Sequence, residues 1–381
     1  MRRIGGIFNA LIAYIKIMIL YIHEQPDWAQ FHWNSERLAN RLAAVRHKQG
    51  KLAGSMSALG FNLRSEAMLH TLTLDILKSN EIEGETLNPD QVRSSLARHL
   101  GMDIAGLVPT DRHIDGVVEM MLDATQKYSE PLTDDRLFGW HAAMFPVGRS
   151  GLHKITIGYW RKGPIHVVSG AWGKEKIHFE APQAEKLPDE MQRFFNWFNS
   201  KMDIDPVIKA AVAHFWFVTI HPFDDGNGRM ARAIADLQLA RADDSPQRFY
   251  SMSAQIQKER KSYYDILERS QKSDLDITDW IEWFLICLDN ALNATSEILS
   301  SVLNKAQFWE KHSNTVLTTR QTLMLNKLLD GFAGKLTTSK WAKITKCSHD
   351  TALRDIQDLV EKGILIKDDA GGRSTRYLLT E

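Results

Sequence analysis

The chain has 381 residues, with 47 basic and 47 acidic side chains and a formal net charge of zero at neutral pH. A chain of this length can form two or three domains around at least one large core, and its zero net charge excludes a global attraction to nucleic acid or other polyanions. Only Cys287 and Cys347 occur, far apart in the chain. This argues against a disulfide framework or a cysteine zinc site and predicts a reducing, cytoplasmic location.

The first 22 residues need an interpretation of their own. A mostly apolar run from Ile4 to Ile22 is interrupted by Lys16, and no small-residue cleavage site follows it, which disfavours a signal peptide. A membrane anchor stays open, because about 20 apolar residues can cross a bilayer. We favour a true start at Met18, with residues 1–17 as a misannotated extension, and expect no stable membrane association.

The pattern from residue 27 to about residue 100 is helical, because apolar residues recur three and four positions apart. Gly50, Gly54 and Gly60 predict a break between a first helix and a second one that begins near Ser65. The second helix is expected to stop at Gly84.

Three carboxylates, those of Glu81, Glu83 and Glu85, lie at the end of this second helix. The helix dipole disfavours negative charge at a C-terminus by roughly 0.3–1 kcal/mol for each group. A solvated, charged helix end is the simplest interpretation. A cation that faced Glu83 would reverse it.

Residues 150–185 change character. Val, Ile, Tyr and Trp alternate with Gly and His from Ile155 to Arg161, and a second run follows from Lys176 to Glu180, which predicts a β-hairpin. A two-stranded hairpin is marginal by itself. It is either a structural excursion packed on the helices or an exposed edge that can pair with an extended peptide. The flanking patterns predict helices over residues 91–99, within 112–146, and over 187–197 and 206–220.

The C-terminal part is again helical, with residues 290–316 predicted as a long connecting helix. Residues 317–381 have the pattern of a helix-turn-helix with a two-stranded wing. From residue 315 to the end, 11 basic and 8 acidic residues give a net charge of +3, which is modest for a protein that reads DNA. A DNA-binding regulator and a protein-docking module both stay open.

The chain from His221 to Arg232 reads His-Pro-Phe-Asp-Asp-Gly-Asn-Gly-Arg-Met-Ala-Arg. Its two glycines allow a ligand to approach the backbone closely, and the N–H groups of residues 226–228 would point into a concavity at a helix N-terminus, which attracts anions. Arg229 also lies in this first turn, next to Arg232. Two arginines there oppose the helix dipole unless an anion such as a polyphosphate lies between them.

The other side chains of the stretch fit the same interpretation. Asp225 would be repelled by phosphates unless it binds a Mg²⁺ ion that bridges their oxygens. His221, just before the loop, can accept a proton from an attacking hydroxyl. Phe223 has no polar role and is expected to anchor the loop to the core.

These twelve residues match, at every specified position, the signature of the Fic family, His-x-Phe-x-Asp/Glu-Gly-Asn-Gly-Arg-x-x-Arg, and the chain resembles that family. The resemblance implies a mainly α fold: a helical-bundle Fic core with a β-hairpin flap, an N-terminal helical domain and a C-terminal winged helix-turn-helix. It also implies that AMP is transferred from ATP, with Mg²⁺ or Mn²⁺, to a Ser, Thr or Tyr hydroxyl of a target protein. The glycines at 226 and 228 make phosphorylation, as in the related Doc-type kinases, less favoured.

The resemblance also assigns roles to single residues. It makes His221 the general base and Asp225 the metal ligand, and it gives the γ-phosphate to Arg232. The α- and β-phosphates would be held by Gly226, Asn227, Gly228 and Arg229.

The sequence Ser79-x-x-x-Glu83-Gly84 resembles the inhibitory motif of self-inhibited Fic proteins. The resemblance implies that Glu83 binds Arg232 bidentately and excludes a productive γ-phosphate. Glu83 placed in this way could instead position a water, so removal of AMP from a protein stays an alternative activity. The hairpin would be the family's flap, whose residues Ile177, His178 and Phe179 would pair with the target backbone.

We therefore expect a possible extension over residues 1–17 and an N-terminal helical domain with the inhibitory motif over 18–105. A Fic catalytic core over 106–295, a linker helix over 296–316 and the winged helix-turn-helix over 317–381 would follow. The target protein and the oligomeric state, with a homodimer as one alternative, stay open at this point.

Overall fold

The computed structural model of the protein describes residues 21–380, except for residues 58, 60, 105, 171–175, 333 and 369–374. The proposed extension over residues 1–17 lies outside the described residues. The described chain is mainly helical, which confirms the predicted fold class. The N-terminal helices are α1 (Ser35–Ser57), α2 (Phe61–Ile82) and α3 (Pro89–His99).

The central part of the chain forms one helical core with two small antiparallel strand pairs. Strand β1 (Arg149–Ser150) pairs with β2 (His153–Lys154), and β3 (His166–Ser169) pairs with β4 (Lys176–Glu180). The helices of this part are α4 (Arg112–Gln126), α5 (Asp134–Met144), α6 (Leu187–Asn199), α7 (Pro206–Ile220), α8 (Asn227–Asp243), α9 (Met252–Lys258), α10 (Arg260–Gln271) and α11 (Thr278–Lys311).

Helix α7 lies at the centre of the core. Each of its residues from Val207 to Ile220 is buried, as expected for a helix that is apolar over most of its circumference. Asp205 caps its start by accepting the Val207 N–H at 2.8 Å, and Pro206 occupies the first turn, where a missing N–H costs nothing. Helix α7 packs along α8, so the short loop between them is held at the end of the most buried element.

The predicted break between the first two helices is present, but it lies after Ser57, because α1 runs through Gly50 and Gly54 without interruption. The helix ends at Ser57, and α2 begins at Phe61 rather than near Ser65. The reason is tertiary packing, because α1 buries Leu38 and Val45 in the main core, and this outweighs a propensity cost of about 1 kcal/mol for each glycine.

The first strand of the hairpin is not the run from Ile155 to Arg161, as the sequence pattern predicted, but β3. The N–H groups of that run are bound elsewhere: Thr156 donates to the Asp224 carboxylate at 2.8 Å, and Arg161 to the Pro222 carbonyl at 2.9 Å. These bonds hold the run against the loop after α7, away from β3 and β4. The second strand, β4, is confirmed with the predicted bounds.

The C-terminal unit has its own core, built around Trp341 and Ile356. Its helices α12 (Thr319–Leu329), α13 (Thr338–Thr345) and α14 (His349–Glu361) and the strand pair β5 (Leu365–Asp368) and β6 (Arg376–Leu379) match the predicted winged helix-turn-helix. The predicted connecting helix is the continuation of α11, which extends over 34 residues. An ion pair between Lys327 and Asp90 at 2.7 Å joins the unit to α3. Lys305 of α11 binds both Asp330 of the unit, at 2.8 Å, and Glu66 of α2, at 2.9 Å.

Within the part of the chain that the structure describes, no helix combines the length and the apolar character needed to cross a bilayer. The apolar run that ends at Ile22 lies largely outside this part.

The close packing of α4 on α5 depends on Gly116. A Cβ added there would lie 1.8 Å from the Ala143 carbonyl oxygen, and backbone atoms cannot move aside as a side chain can. We expect Gly116→Ala to lower the free energy of unfolding in urea by about 1–3 kcal/mol or more. Gly139 in α5 is the matched control, because it is exposed and an added Cβ meets nothing within 4 Å. Gly139→Ala should raise stability by about 0.5–1 kcal/mol, and an equal loss in both variants would contradict this packing argument.

Candidate active site

The stretch from His221 to Arg232 forms a tight loop that ends α7 and opens α8. His221 ends α7 in the left-handed conformation, with φ of 53°, and Gly226 precedes α8 with φ of 82°. The Asn227 side chain closes the loop, since its Oδ1 accepts the Phe223 N–H at 2.9 Å and its Nδ2 donates to the Phe223 carbonyl at 2.8 Å. The amide of Asn227 is thus engaged within the loop, and only its backbone N–H is left for a ligand.

A histidine that the sequence analysis did not identify supports the loop from below. His141 in α5 stacks on the Phe223 ring, with centroids 4.4 Å apart. Its Nε2 donates to the Asp225 carbonyl at 3.3 Å, and its Nδ1 accepts the Gly158 N–H at 3.4 Å. Burial lowers the pKa of His141 to about 4, so the ring is neutral and can serve both bonds. Its only signal in the sequence is a histidine within an apolar helical segment.

Arg161 fixes the start of the loop and was also missed. Its Nε donates to the His221 carbonyl at 2.8 Å, and its Nη1 donates to the Gly163 carbonyl at 2.7 Å. A further bond runs to the Pro182 carbonyl, beyond the hairpin. This buried side chain therefore joins the loop to both ends of the hairpin region. In the sequence it simply ended an aromatic run that suggested a strand.

His221 has the geometry of a base. Its Nδ1 lies 3.1 Å from the Val218 carbonyl and donates to it, which leaves Nε2 with its lone pair. Burial of the ring lowers the pKa of His221 below its ordinary value of 6.5, and the charge of Arg161 acts in the same direction. The neutral form is favoured by both effects.

Asp225 lies at the mouth of the loop and is 41% exposed. It accepts the Ser150 hydroxyl and the N–H of Gly226. A carboxylate that keeps this much contact with solvent fits a Mg²⁺ ion whose other ligands are waters and phosphate oxygens. Asp224 is a poorer candidate, because its carboxylate accepts the Thr156 N–H at 2.8 Å.

Arg232 is buried, and the end of α2 surrounds its guanidinium. Its Nη2 donates to Glu83 Oε1 at 2.7 Å and to the Ser79 carbonyl at 2.9 Å, and its Nε donates to the Ser79 hydroxyl at 2.9 Å. The expected pair is therefore present, but the expectation that it is bidentate is wrong. Ser79 occupies the Nε position that a second carboxylate oxygen would need.

Glu83 lies directly over the N-terminus of α8. A Cβ added to Gly228 would lie 2.2 Å from Glu83 Oε1 and 3.3 Å from Arg232 Nη1. Only glycine at 228 leaves room for the carboxylate at this point. Arg232 Nη1 is buried without a hydrogen-bond partner among the described residues, and so is the Nε of Arg229. Orphaned donors of this kind are costly unless a ligand satisfies them.

Arg229 is held by the same segment of the chain. Its Nη1 donates to Glu85 Oε2 at 2.9 Å and to Asn80 Oδ1 at 3.3 Å. Its guanidinium lies 5.0 Å from the centre of the Phe145 ring. No protein partner for this arginine was predicted from the sequence, although Glu85 belongs to the acidic cluster noted at the end of the second helix.

The three hairpin residues assigned to target docking differ in exposure. Ile177 is 50% exposed, whereas Phe179 is buried and packs on Tyr21 at 5.2 Å between ring centroids. His178 lies opposite a register shift in β3, and its ring joins Ser169 Oγ at 2.5 Å to Glu268 Oε2 at 2.6 Å. Phe179 and His178 thus attach the hairpin to the core and to α10, which leaves Ile177 as the side chain that a partner can reach.

Comparisons with known proteins agree with this geometry. The model of the Fic/DOC family matches residues 131–239, and the model of a domain of unknown function, DUF4172, matches residues 21–102. The protein adenylyltransferase Fic of Culex quinquefasciatus is 29% identical over 299 residues, which are 72% of this chain and 55% of that protein. The protein of the same name from Aedes aegypti is 31% identical over 244 residues, 61% of this chain and 44% of that protein. The chain spans about half the length of these curated relatives.

A solved structure gives the same result for the fold. The crystal structure of a Fic family protein from Desulfovibrio desulfuricans G20 is 20% identical, covers 92% of this chain and 97% of that chain, and superimposes with a TM-score of 0.53. The loop signature, the helical core that carries it and the family match coincide in one part of the chain. The chain is therefore similar to the Fic/DOC family in the domain at residues 131–239, which contains the whole loop signature.

Proposed function

We propose that the protein is a protein adenylyltransferase, which transfers AMP from ATP to a hydroxyl side chain of a target protein. The observation that carries the proposal is the pair of buried arginines at the start of α8, each with a guanidinium nitrogen that lacks a hydrogen-bond partner among the described residues. A helix N-terminus with two such cations is an anion site. The names of the curated relatives support ATP as the source of the anion.

In the proposed reaction, the hydroxyl oxygen of the target attacks the α-phosphorus and the bond from that phosphorus to the β-phosphate oxygen breaks. His221 Nε2 takes the hydroxyl proton, and pyrophosphate leaves. The bond from His221 Nδ1 to the Val218 carbonyl keeps Nε2 as the acceptor. The backbone N–H groups of Asn227 and Gly228 and the side chain of Arg229 stabilise the charge on the phosphates, and Arg232 binds the γ-phosphate. The N–H of Gly226, also assigned to the phosphates, donates to Asp225 in this structure.

A divalent cation fits this site through Asp225, whose exposed carboxylate can supply one or two ligand positions. The ion would neutralise phosphate charge and orient the leaving pyrophosphate. Ile177 is proposed as a contact of the flap with the target, since it is the most accessible of the three assigned residues.

The same geometry describes a resting state. Glu83 binds Arg232, the residue that the γ-phosphate would need. The Glu83 carboxylate lies where a side chain at position 228 would be, and Gly228 leaves this space free. A charge-assisted hydrogen bond of this kind contributes about 1.5–3 kcal/mol. Glu83 therefore competes with ATP, and the wild-type protein is expected to be weakly active.

The main test compares wild type with Glu83→Gly, using labelled ATP and Mg²⁺ with cell lysate or with the protein itself as acceptor. We expect at least about a tenfold rise in AMP incorporation, because about 1.4 kcal/mol corresponds to a factor of ten. Glu83→Gly combined with His221→Ala should lose this gain. A Glu83→Gly protein that transfers no label with Mg²⁺ or Mn²⁺ would refute the proposed activity.

The protonation state of His221 predicts the pH dependence. Since its pKa is lowered, the basic form persists below the ordinary value of 6.5, and activity is lost only as pH falls further. We expect the acid limb of kcat/KM, measured on Glu83→Gly from pH 5 to 8, to have an apparent pKa below 6.5. The charge of Glu83 raises the pKa of His221, so the Glu83→Gly substitution lowers this pKa further. An acid limb centred above 6.5 would contradict the role of this ring as the base.

The alternative of a DNA-binding regulator is less favoured by the charges of the second helix of the helix-turn-helix. Two basic residues beside α14 are committed to its carboxylates: Arg320 to Asp355 at 2.8 Å, and Lys362 to Asp358 at 2.6 Å. Paired cations contribute little to phosphate binding. A gel shift at low salt with genomic fragments should therefore show no stable complex, and salt-dependent retardation would restore the alternative.

A further inference from the structure

The three carboxylates at the end of α2 have three different partners. Glu81 pairs with Lys78 at 2.7 Å on the outer side of the helix, and Glu83 pairs with Arg232. Glu85 pairs with Arg229 at 2.9 Å. The first contact is an ordinary surface pair, whereas the other two each occupy an arginine of the proposed phosphate site.

The backbone makes Glu83 and Glu85 parts of one rigid turn. The N–H groups of Glu83 and Glu85 both donate to the Asn80 carbonyl at 3.0 Å, and the N–H of Gly84 donates to the Glu81 carbonyl at 3.0 Å. With Gly84 at φ of 85°, this is a Schellman motif, the arrangement by which a left-handed glycine ends a helix. The two carboxylates are therefore presented together, on either side of the glycine, to the two arginines.

Asn80 extends the turn into the site. It is fully buried, its Nδ2 donates to the Ile76 carbonyl at 2.9 Å, and its Oδ1 accepts from Arg229. Each arginine thus receives one carboxylate and one neutral oxygen side chain from the end of α2: Ser79 with Glu83, and Asn80 with Glu85. Glu83 and Glu85 thus bind buried arginines, which differs from the solvated, charged helix end that is the simplest interpretation of the sequence.

His113 in α4 holds Glu85 in place. Its Nδ1 lies 2.9 Å from the Met144 carbonyl, and its Nε2 lies 2.7 Å from Glu85 Oε1. The neighbouring Glu85 carboxylate raises the pKa of His113 above its ordinary value. The charged groups that face the ring are Glu85 and Arg229. One oxygen of Glu85 lies against His113 and the other binds Arg229, so His113 helps to orient this carboxylate.

We propose that Glu85 is a second inhibitory residue. It keeps Arg229 from binding the α- and β-phosphates of the nucleotide, as Glu83 keeps Arg232 from binding the γ-phosphate. The inference rests on the proposed function, since it takes Arg229 as a phosphate ligand. Residues 79–85 then close the site at two phosphate positions. If only the contact of Glu83 is broken, Arg229 is still bound to Glu85. A nucleoside diphosphate must then compete with Glu85 for Arg229.

The test measures nucleotide binding by calorimetry with Mg²⁺, so that it does not depend on a target protein. Glu83→Gly is compared with the double variant Glu83→Gly/Glu85→Gln, with ADP and with adenosine as ligands. We expect the double variant to bind ADP about tenfold more tightly, a difference of about 1.4 kcal/mol, and adenosine equally. An effect on packing alone would change both ligands alike, because adenosine carries no phosphate.

Two further variants make the result specific. Glu83→Gly/Glu81→Gln is the matched control, since Glu81 pairs with Lys78 and touches neither arginine in the described contacts; its affinity for ADP should equal that of Glu83→Gly. His113→Gln in the same background should tighten ADP binding in the direction of Glu85→Gln, by a smaller factor, because Glu85 loses its support. Thermal melting of each variant verifies folding.

The outcomes separate the two proposals. If the folded Glu85→Gln double variant binds ADP no more tightly than Glu83→Gly, or binds adenosine more tightly by the same factor, the role of Glu85 is refuted while the proposed activity stands. If none of the variants binds ATP or ADP, the proposed function fails, and this inference fails with it.

Discussion

The structure depends on the contact between one carboxylate and one arginine at the first turn of α8. A helix N-terminus that carries two arginines is unstable without an anion, and in this protein the anion comes from the chain itself. Glu83 Oε1 lies 2.7 Å from Arg232, over a glycine that has no side chain to exclude it. The end of α2, its glycine stop and the small residue at 228 together allow this contact.

The loop before α8 is fixed by contacts that do not involve this carboxylate. Asn227 closes it, His141 supports it through Phe223, and Arg161 holds the backbone of His221. The proposed base and the proposed phosphate-binding N–H groups are therefore in place whether or not Glu83 is bound. A site of this kind is preorganised, and the side chains that occupy its arginines must move for the proposed triphosphate to bind.

Much of this could be predicted from the sequence, because the chemistry is carried by a contiguous stretch. The loop from His221 to Arg232 and the helices around it follow from residue types and spacing, whereas the opposition of Glu83 to Arg232 was implied only by the resemblance to the Fic family. The sequence could not show which of several available hydrogen-bond partners each side chain takes. Asn227 was assigned to the phosphates, and the sequence did not show that its side chain bonds to Phe223. The expected bidentate pair is a single contact, and the Nε of Arg232 binds the Ser79 hydroxyl instead.

The errors in secondary structure have the same physical origin. The run from Ile155 to Arg161 has the composition of a strand, yet its N–H groups bond to Asp224, His141 and Pro222, partners that only the tertiary fold brings near. The break expected near Gly50 and Gly54 lies after Ser57, because the core keeps the helix continuous through both glycines. Glu85 and His113 could be noticed in the sequence only as an unexplained charge and an ordinary histidine.

A crystal structure of Glu83→Gly with ATP and Mg²⁺, beside wild type crystallised with the same nucleotide, tests the central claim most directly. The account predicts that in the variant a guanidinium nitrogen of Arg232 lies about 3 Å from a γ-phosphate oxygen. In wild type the same nitrogen should still contact Glu83. A variant in which the γ-phosphate lies elsewhere while Arg232 remains bound only to Ser79 would contradict it.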